Sequence, residues 1–273
     1  MNKISNTWEL AKVSWGVLRD DKELALLPVL SALCAILVSA TFVVPLIIVP
    51  KILSAGMLGP GRYVGPFLFY LVNYVVVIFF NTALIHAATI RLRGGHPTVA
   101  DGLTFAWENV GSILQWAAVA ATVGMILRAI EERVGWLGKI IIAMVGAAWT
   151  IATYFVIPVI VYEKLGPIDA VKRSAQMFRE TWGERAISSI SFGLLFFLLA
   201  IPAFVAPFLA GFLLGTAAAL IVTGIAVLYV IALAVVNAAL NGIFVAALYQ
   251  YTQTKEASGP FTPQLLNSAW RPR

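Results

Sequence analysis

Residues 186–254 read AISSISFGLLFFLLAIPAFVAPFLAGFLLGTAAALIVTGIAVLYVIALAVVNAALNGIFVAALYQYTQT, without a single Asp, Glu, Lys or Arg. As one helix at 1.5 Å per residue this run would be roughly 100 Å long, whereas bilayer hydrocarbon is about 30 Å thick and takes roughly 20 apolar residues per crossing. The run therefore folds back on itself, and Gly211, Gly215 and Thr216 mark the turn. Two spans follow, at 186–213 and 216–251. Working outward, four more stretches have the same character, at 24–49, 63–90, 110–127 and 140–162. With 60% hydrophobic and only 12% charged residues, a water-soluble domain could not cover so much apolar surface. The expected fold is all-α: a polytopic membrane bundle of six transmembrane helices, forming one membrane domain over residues 1–273. Pro45, Pro158, Pro202 and Pro207 fall in or near span ends and are expected to kink the helices locally.

The distribution of cations orients the bundle. With the N-terminus inside, Lys3, Lys12, Arg19, Lys22, Arg91, Arg93, Lys164, Lys172, Arg173, Arg179, Arg185, Lys255, Arg271 and Arg273 all lie on the cytoplasmic side. Lys51, Arg62, Arg128, Arg133 and Lys139 remain outside, a strong positive-inside bias that puts both termini in the cytoplasm. No basic leader with a cleavage site precedes residue 24, so the first span is expected to stay in the mature protein. Cys34 is the one cysteine and lies within that span, which excludes an internal disulfide. The net charge of +6 is spread along Trp-containing flanks rather than gathered into one patch, so anionic lipid head groups, and not nucleic acid, are the expected partners.

A short helical segment precedes the first, third and fifth spans. In the first, Ile4, Trp8, Ala11, Trp15 and Leu18 form an apolar stripe, with Ser5, Glu9, Lys12 and Arg19 facing away. In the third, Ile168, Val171, Ala175, Phe178 and Trp182 oppose Asp169, Lys172, Arg173, Arg179 and Glu180. The second, with Val99, Leu103, Ala106 and Val110, is weaker, and a further trace follows Gly259 and Pro260 and ends at Trp270. The even spans also echo one another, NTALIHAATIR from Asn81 against NGIFVAALYQY from Asn241. The reading is a threefold unit of one amphipathic elbow helix and two spans, at 1–93, 94–164 and 165–256, with 257–273 as a cytoplasmic tail. Trp8, Trp15, Lys172, Arg173, Arg179 and Trp182 are then expected to anchor the elbows in the head-group plane.

Every Asp and Glu lies outside the spans as drawn, so no carboxylate at membrane depth is available for proton or sodium coupling. The polar residues within the spans are Asn73, Asn81 and His86 on the second, Gln115 on the third, and Asn237, Asn241 and Gln250 on the sixth. Asn73, Asn81, His86, Asn237 and Asn241 form the candidate intramembrane polar site. Asn81 and Asn241 occupy equivalent places in the repeat, and their carboxamides could meet at the bundle centre or serve only as packing glue. No HExxH, paired Cys, Gly-x-Ser-x-Gly turn or phosphate loop is present. No catalytic residue, metal ligand or cofactor is expected.

Residues 7–32, through Trp8, Leu10, Ser14, Trp15, Leu18, Lys22, Glu23, Leu24, Pro28 and Ser31, and the elbow carrying Gly166, Pro167, Asp169, Ala170 and Ser174, resemble an uncharacterised family of prokaryotic multi-pass proteins catalogued as a domain of unknown function. More distantly, the elbow and span pairs are similar to membrane domains appended to some bacterial glycerophosphodiesterases. The resemblance implies the fold and a prokaryotic cytoplasmic membrane, and supplies no catalytic residues. The expected function is a non-enzymatic protein that organises lipid or assembles with itself or a membrane partner. The alternative is a passive conduit for a neutral or amphipathic solute. Lowest stands a lipid-modifying enzyme, whose raw material would be Glu163, Asp169, His86 and His96.

Overall fold

The computed structural model describes residues 3–48, 61–182, 192–263 and 266, and among them the chain is helical without a strand. In order these are α1 (Lys3–Asp20), α2 (Glu23–Ile48), α3 (Gly61–Leu92), α4 (Val99–Glu108), α5 (Val110–Glu131), α6 (Trp136–Ala152), α7 (Val156–Glu163), α8 (Pro167–Trp182), α9 (Phe192–Leu214) and α10 (Thr216–Thr254). Six segments are long and apolar enough to cross a membrane: α2, α3, α5, α6 with α7, α9 and α10. The turn in the uncharged run falls at Gly215, whose φ of +88° is a conformation that suits a residue without a β-carbon.

The fourth span is not one helix. It breaks at Thr153, Tyr154 and Phe155 between α6 and α7. Pro158 explains the place, because its ring has no N–H to donate and crowds the carbonyl four residues earlier, that of Tyr154. The Phe155 amide instead donates to Ser174 Oγ of α8 at 2.9 Å, and both residues are fully buried. By contrast α2 runs on through Pro28 and Pro45, and α9 through Pro202 and Pro207.

The short helices α1, α4 and α8 lie at one end of the bundle, the elbow end, and the core is concentrated there. Leu24 and Leu27 of α2, Ala83 to Ala88 of α3, Ile113 and Ala117 of α5, Val156 to Val161 of α7 and Ala239 to Tyr251 of α10 are mostly buried. Away from it, Leu37, Val64, Met144, Phe208, Phe212 and Leu220 stand exposed. Such apolar surface is at home in hydrocarbon, which exerts no hydrophobic pressure to bury it. Helices α3 and α10 run toward the elbow end together and approach closely. A β-carbon added to Gly242 would lie 2.4 Å from Leu84 Cδ2.

Each elbow packs on a span that ends beside it: α4 on α3, α8 on α6 and α7, and α1 on α10. The positions that pack overlap the stripes read from hydropathy only in part: Ala11, Leu18, Ala106 and Phe178 are buried as expected, whereas Trp8, Trp15 and Ile168 are not. The buried set is Leu10, Ala11, Ser14, Val17 and Leu18 in the first elbow, Gly102 and Ala106 with the cap residue Asn109 in the second, and Ala170, Ser174, Met177 and Phe178 in the third. Trp8 and Trp15 remain 52% and 49% exposed, and Ile168 is exposed as well. Small residues occupy the closest approaches to a span, while the packed faces also bury Leu10, Leu18, Met177 and Phe178. At Gly102 a β-carbon would stand 2.8 Å from the Ala83 carbonyl oxygen.

Candidate functional site

The densest polar constellation sits where α3, α4, α7, α8 and α10 meet at the elbow end. His86 of α3 stacks on Phe105 of α4, with ring centroids 3.8 Å apart and planes 5° from parallel, and its Nδ1 is 3.1 Å from the Tyr162 hydroxyl of α7. Tyr162 stacks in turn on Tyr249 of α10 at 5.8 Å. Next along α7, the Glu163 carboxylate accepts at Oε1 from the Tyr249 hydroxyl at 3.3 Å and from Gln253 Nε2 at 2.8 Å, and at Oε2 from Arg173 Nε at 3.0 Å. Lys164, which ends α7 in a left-handed conformation with φ of 54°, donates to Asn109 Oδ1 beyond α4. Both oxygens of Glu163 are engaged, and His86 is engaged by the Tyr162 hydroxyl. The arrangement is chemically a clamp that ties five helices together.

The sequence marks His86, Glu163 and Arg173 in this cluster, but not the company they keep. Tyr249 and Gln253 are four apart on α10 and share a face, a pattern visible in the sequence once α10 is known to extend to the elbow end. Their common acceptor, Glu163, is remote in the chain, and although the sequence names it as a candidate it gives no sign of this pairing. Of the other raw material for an enzyme, Asp169 pairs with Lys172 at 3.0 Å and His96 is exposed in the loop before α4. Among the described residues no group of His, Cys, Asp and Glu could hold a metal ion.

The intramembrane amides are placed apart. Asn73 donates to the Phe69 carbonyl at 2.9 Å and accepts from Ser39 Oγ at 3.4 Å, linking α3 to α2. Asn81 lines a groove of about 430 Å³ between α2, α3 and α10, beside Ser31, Ala35, Phe80, Ala234 and Ala238. Asn241 is exposed on α10 outside that lining, and Asn237 keeps its Oδ1 buried without a hydrogen bond. Asn81 and Asn241 therefore do not share a central cavity. The α10 residues lining the groove with Asn81 are Ile231, Ala234, Val235 and Ala238, and Asn241 lies about one turn further along the helix, past the end of that lining.

Among the anchors read from the sequence, Trp8 and Trp15 are exposed on α1, and Trp107 of α4 joins them at 69% exposure with its ring 6.4 Å from Phe79. Lys172 and Arg179 are exposed on α8, whereas Arg173 turns inward to Glu163. The side chain of Trp182, like that of Ile4, lies outside the described residues. Asp101 of α4 forms a capping box with Thr98. The Thr98 amide donating to its carboxylate at 2.8 Å, and then the Thr98 hydroxyl, hold the Asp101 pKa below its ordinary value. Glu23 of α2 accepts from the Val99 amide at 2.7 Å, so two carboxylates serve the first turn of α4.

The model of a family of unknown function, DUF6159, matches residues 61–259. The matched region takes in the Gly166 to Ser174 elbow and leaves out residues 7–32. No curated protein and no solved structure matches the chain.

Proposed function

We propose, for a chain that belongs to the DUF6159 family of unknown function, a non-enzymatic role in the membrane: it organises lipid around the elbow end of its bundle. The observation that carries this reading is the outward stance of Trp8, Trp15 and Trp107 on two elbow helices at the same end. Tryptophan is favoured at the junction of hydrocarbon and water, where its ring meets apolar matter and its N–H meets a polar one. The exposed Lys172 and Arg179 on the third elbow would face anionic head groups, and the excess of cations on this side supports a cytoplasmic orientation for this end. The shared spacing of buried positions in the three elbows supports three copies of one unit, so that lipid meets a repeated surface.

A conduit is less well supported, because Asn73, Asn81 and Asn241 lie on separate surfaces. Catalysis is less well supported because Glu163 and His86 are engaged by neighbours. The test is reconstitution of the whole chain in liposomes, measuring both solute flux and the lipid retained after detergent extraction. Tight vesicles and a bound lipid complement of stable composition are the expected result. Flux of small neutral solutes, or a protein that retains no lipid, would overturn the reading.

A further inference from the structure

We propose that a notch between α1 and the end of α3 binds a zwitterionic phosphoethanolamine head group, an inference that rests on the lipid-organising reading above. Arg91 lies in the last turn of α3 with its side chain only 23% exposed, yet its contacts are weak. Nη2 is 3.8 Å from Asp20 Oδ2 of α1, and Nη1 is 3.5 Å from the Gly95 carbonyl oxygen. The other ion pairs among the described residues close at 3.0 to 3.2 Å. A guanidinium carries five N–H donors, and one that is mostly withdrawn from water is unfavourable unless strong acceptors reach it. Here donors are left over.

The space beside them is a cavity of about 280 Å³ with Asp20 and Arg91 as its charged lining and Val17 and Leu92 as apolar walls. Gly94 and Gly259, at φ of +87° and +62°, bring two turns past it without side chains. A β-carbon at Gly94 would meet nothing within 4 Å. The notch therefore offers one cation and one anion, loosely paired. A phosphate alone would be repelled by Asp20, and an amine alone by Arg91. A head group with a phosphate and a primary ammonium two carbons apart engages both, the phosphate oxygens accepting from Arg91 and the ammonium donating to Asp20. A trimethylated ammonium has no N–H to give. The position suits a lipid source, since α1 carries the outward Trp8 and Trp15 that mark the head-group level.

The experiment uses the full chain in detergent, mixed with phosphatidylethanolamine, phosphatidylglycerol and phosphatidylcholine of identical acyl chains, with retained lipid counted by native mass spectrometry. The wild type is expected to keep phosphatidylethanolamine in preference to both others. R91Q should weaken that retention about tenfold, the usual scale for losing a charge-assisted hydrogen bond. D20N alters a carboxylate that is 66% exposed, so folding is preserved, and it should move the preference toward phosphatidylglycerol. Indifference of the wild type to head group, or an unchanged preference in D20N, would overturn the notch while leaving the lipid-organising reading in place. Displacement of the lipid by water-soluble phosphoethanolamine at matched concentration would overturn the lipid source. A wild type that retains no lipid would sink both.

Discussion

Gly242 offers the sharpest test of how α3 and α10 meet. In Gly242→Ala the new β-carbon would stand 2.4 Å from Leu84 Cδ2 and 2.7 Å from Leu84 Cγ, distances that atoms do not tolerate. Leu84 is 1% exposed, so the clash is relieved only by displacing a packed side chain toward the groove it lines with Asn81. Overpacking of an enclosed site costs about 1–3 kcal/mol, and two contacts this short argue for the upper end. Against it, alanine is favoured over glycine in a helix by about 1 kcal/mol. The net expectation is destabilisation by about 2 kcal/mol. Leu84→Ala alone should cost about 2–5 kcal/mol through the cavity it leaves. In the double variant the two β-carbons would be 3.8 Å apart, an ordinary contact. There Gly242→Ala should stabilise by about 1 kcal/mol, since the clash is gone and the helix preference remains. The sign of one substitution thus reverses with the identity of its neighbour, for a coupling of about 3 kcal/mol. Denaturant titration of the four proteins in mixed micelles, followed by tryptophan fluorescence, measures it. A neutral or stabilising Gly242→Ala in the wild-type background, or a coupling below about 0.5 kcal/mol, would refute the close approach of these helices.

Ser174→Ala removes the buried acceptor of the Phe155 amide and should destabilise by about 1–3 kcal/mol in the same titration. Thr98→Ala should cost about 1 kcal/mol by undoing the cap of α4. Because the Asp101 pKa is lowered in the folded protein, its contribution is present above the ordinary carboxylate pKa and is lost as pH falls through the lowered value. The melting temperature of Asp101→Asn should therefore fall below that of the wild type at neutral pH, and the gap should close under strongly acidic conditions. Glu163→Gln leaves Arg173 without its counter-charge and weakens the hold on Tyr249 and Gln253. Hydrogen exchange at the last turn of α10 should rise, while exchange in the α9 to α10 turn stays unchanged. In a Cys34→Ser background, Lys139→Cys should react with an impermeant thiol reagent on intact cells and Lys12→Cys should not. Reversed labelling would invert the orientation.

Much of the architecture was legible because hydropathy and length are properties of the chain in one dimension, judged against a bilayer of given thickness. The six spans, the turn beside Gly215 and the separate elbow helices follow from that comparison. The break at Thr153 to Phe155 was half legible: Pro158 marks the defect, while the Ser174 hydroxyl that accepts from the Phe155 amide there is brought by α8, through tertiary packing. The elbow faces were legible only in part, with Ala11, Leu18, Ala106 and Phe178 buried as read, because hydropathy counts the apolar surface turned to lipid together with that turned to protein. Trp8 and Ile168 weigh heavily in such a count and yet lie outside the packing, whereas Gly102, Ser14 and Ser174 weigh almost nothing and sit inside it.

The polar constellations depended on tertiary structure altogether. Asn81 and Asn241 match in sequence, but a carboxamide's surroundings are set by which neighbouring helix covers its side of the span, and α10 lines the groove at Asn81 with Ile231, Ala234, Val235 and Ala238. Glu163 finds Tyr249, Gln253 and Arg173, and Arg91 finds Asp20, across separations that leave no periodic trace. From its sequence alone, then, this protein is determined to be a six-span helical bundle, because insertion in hydrocarbon depends on summed side-chain hydropathy along each segment. Which groups meet at the elbow end, and which are left partly satisfied, was decided only when the helices packed, because hydrogen bonds and contacts act over a few ångströms in space and are indifferent to distance along the chain.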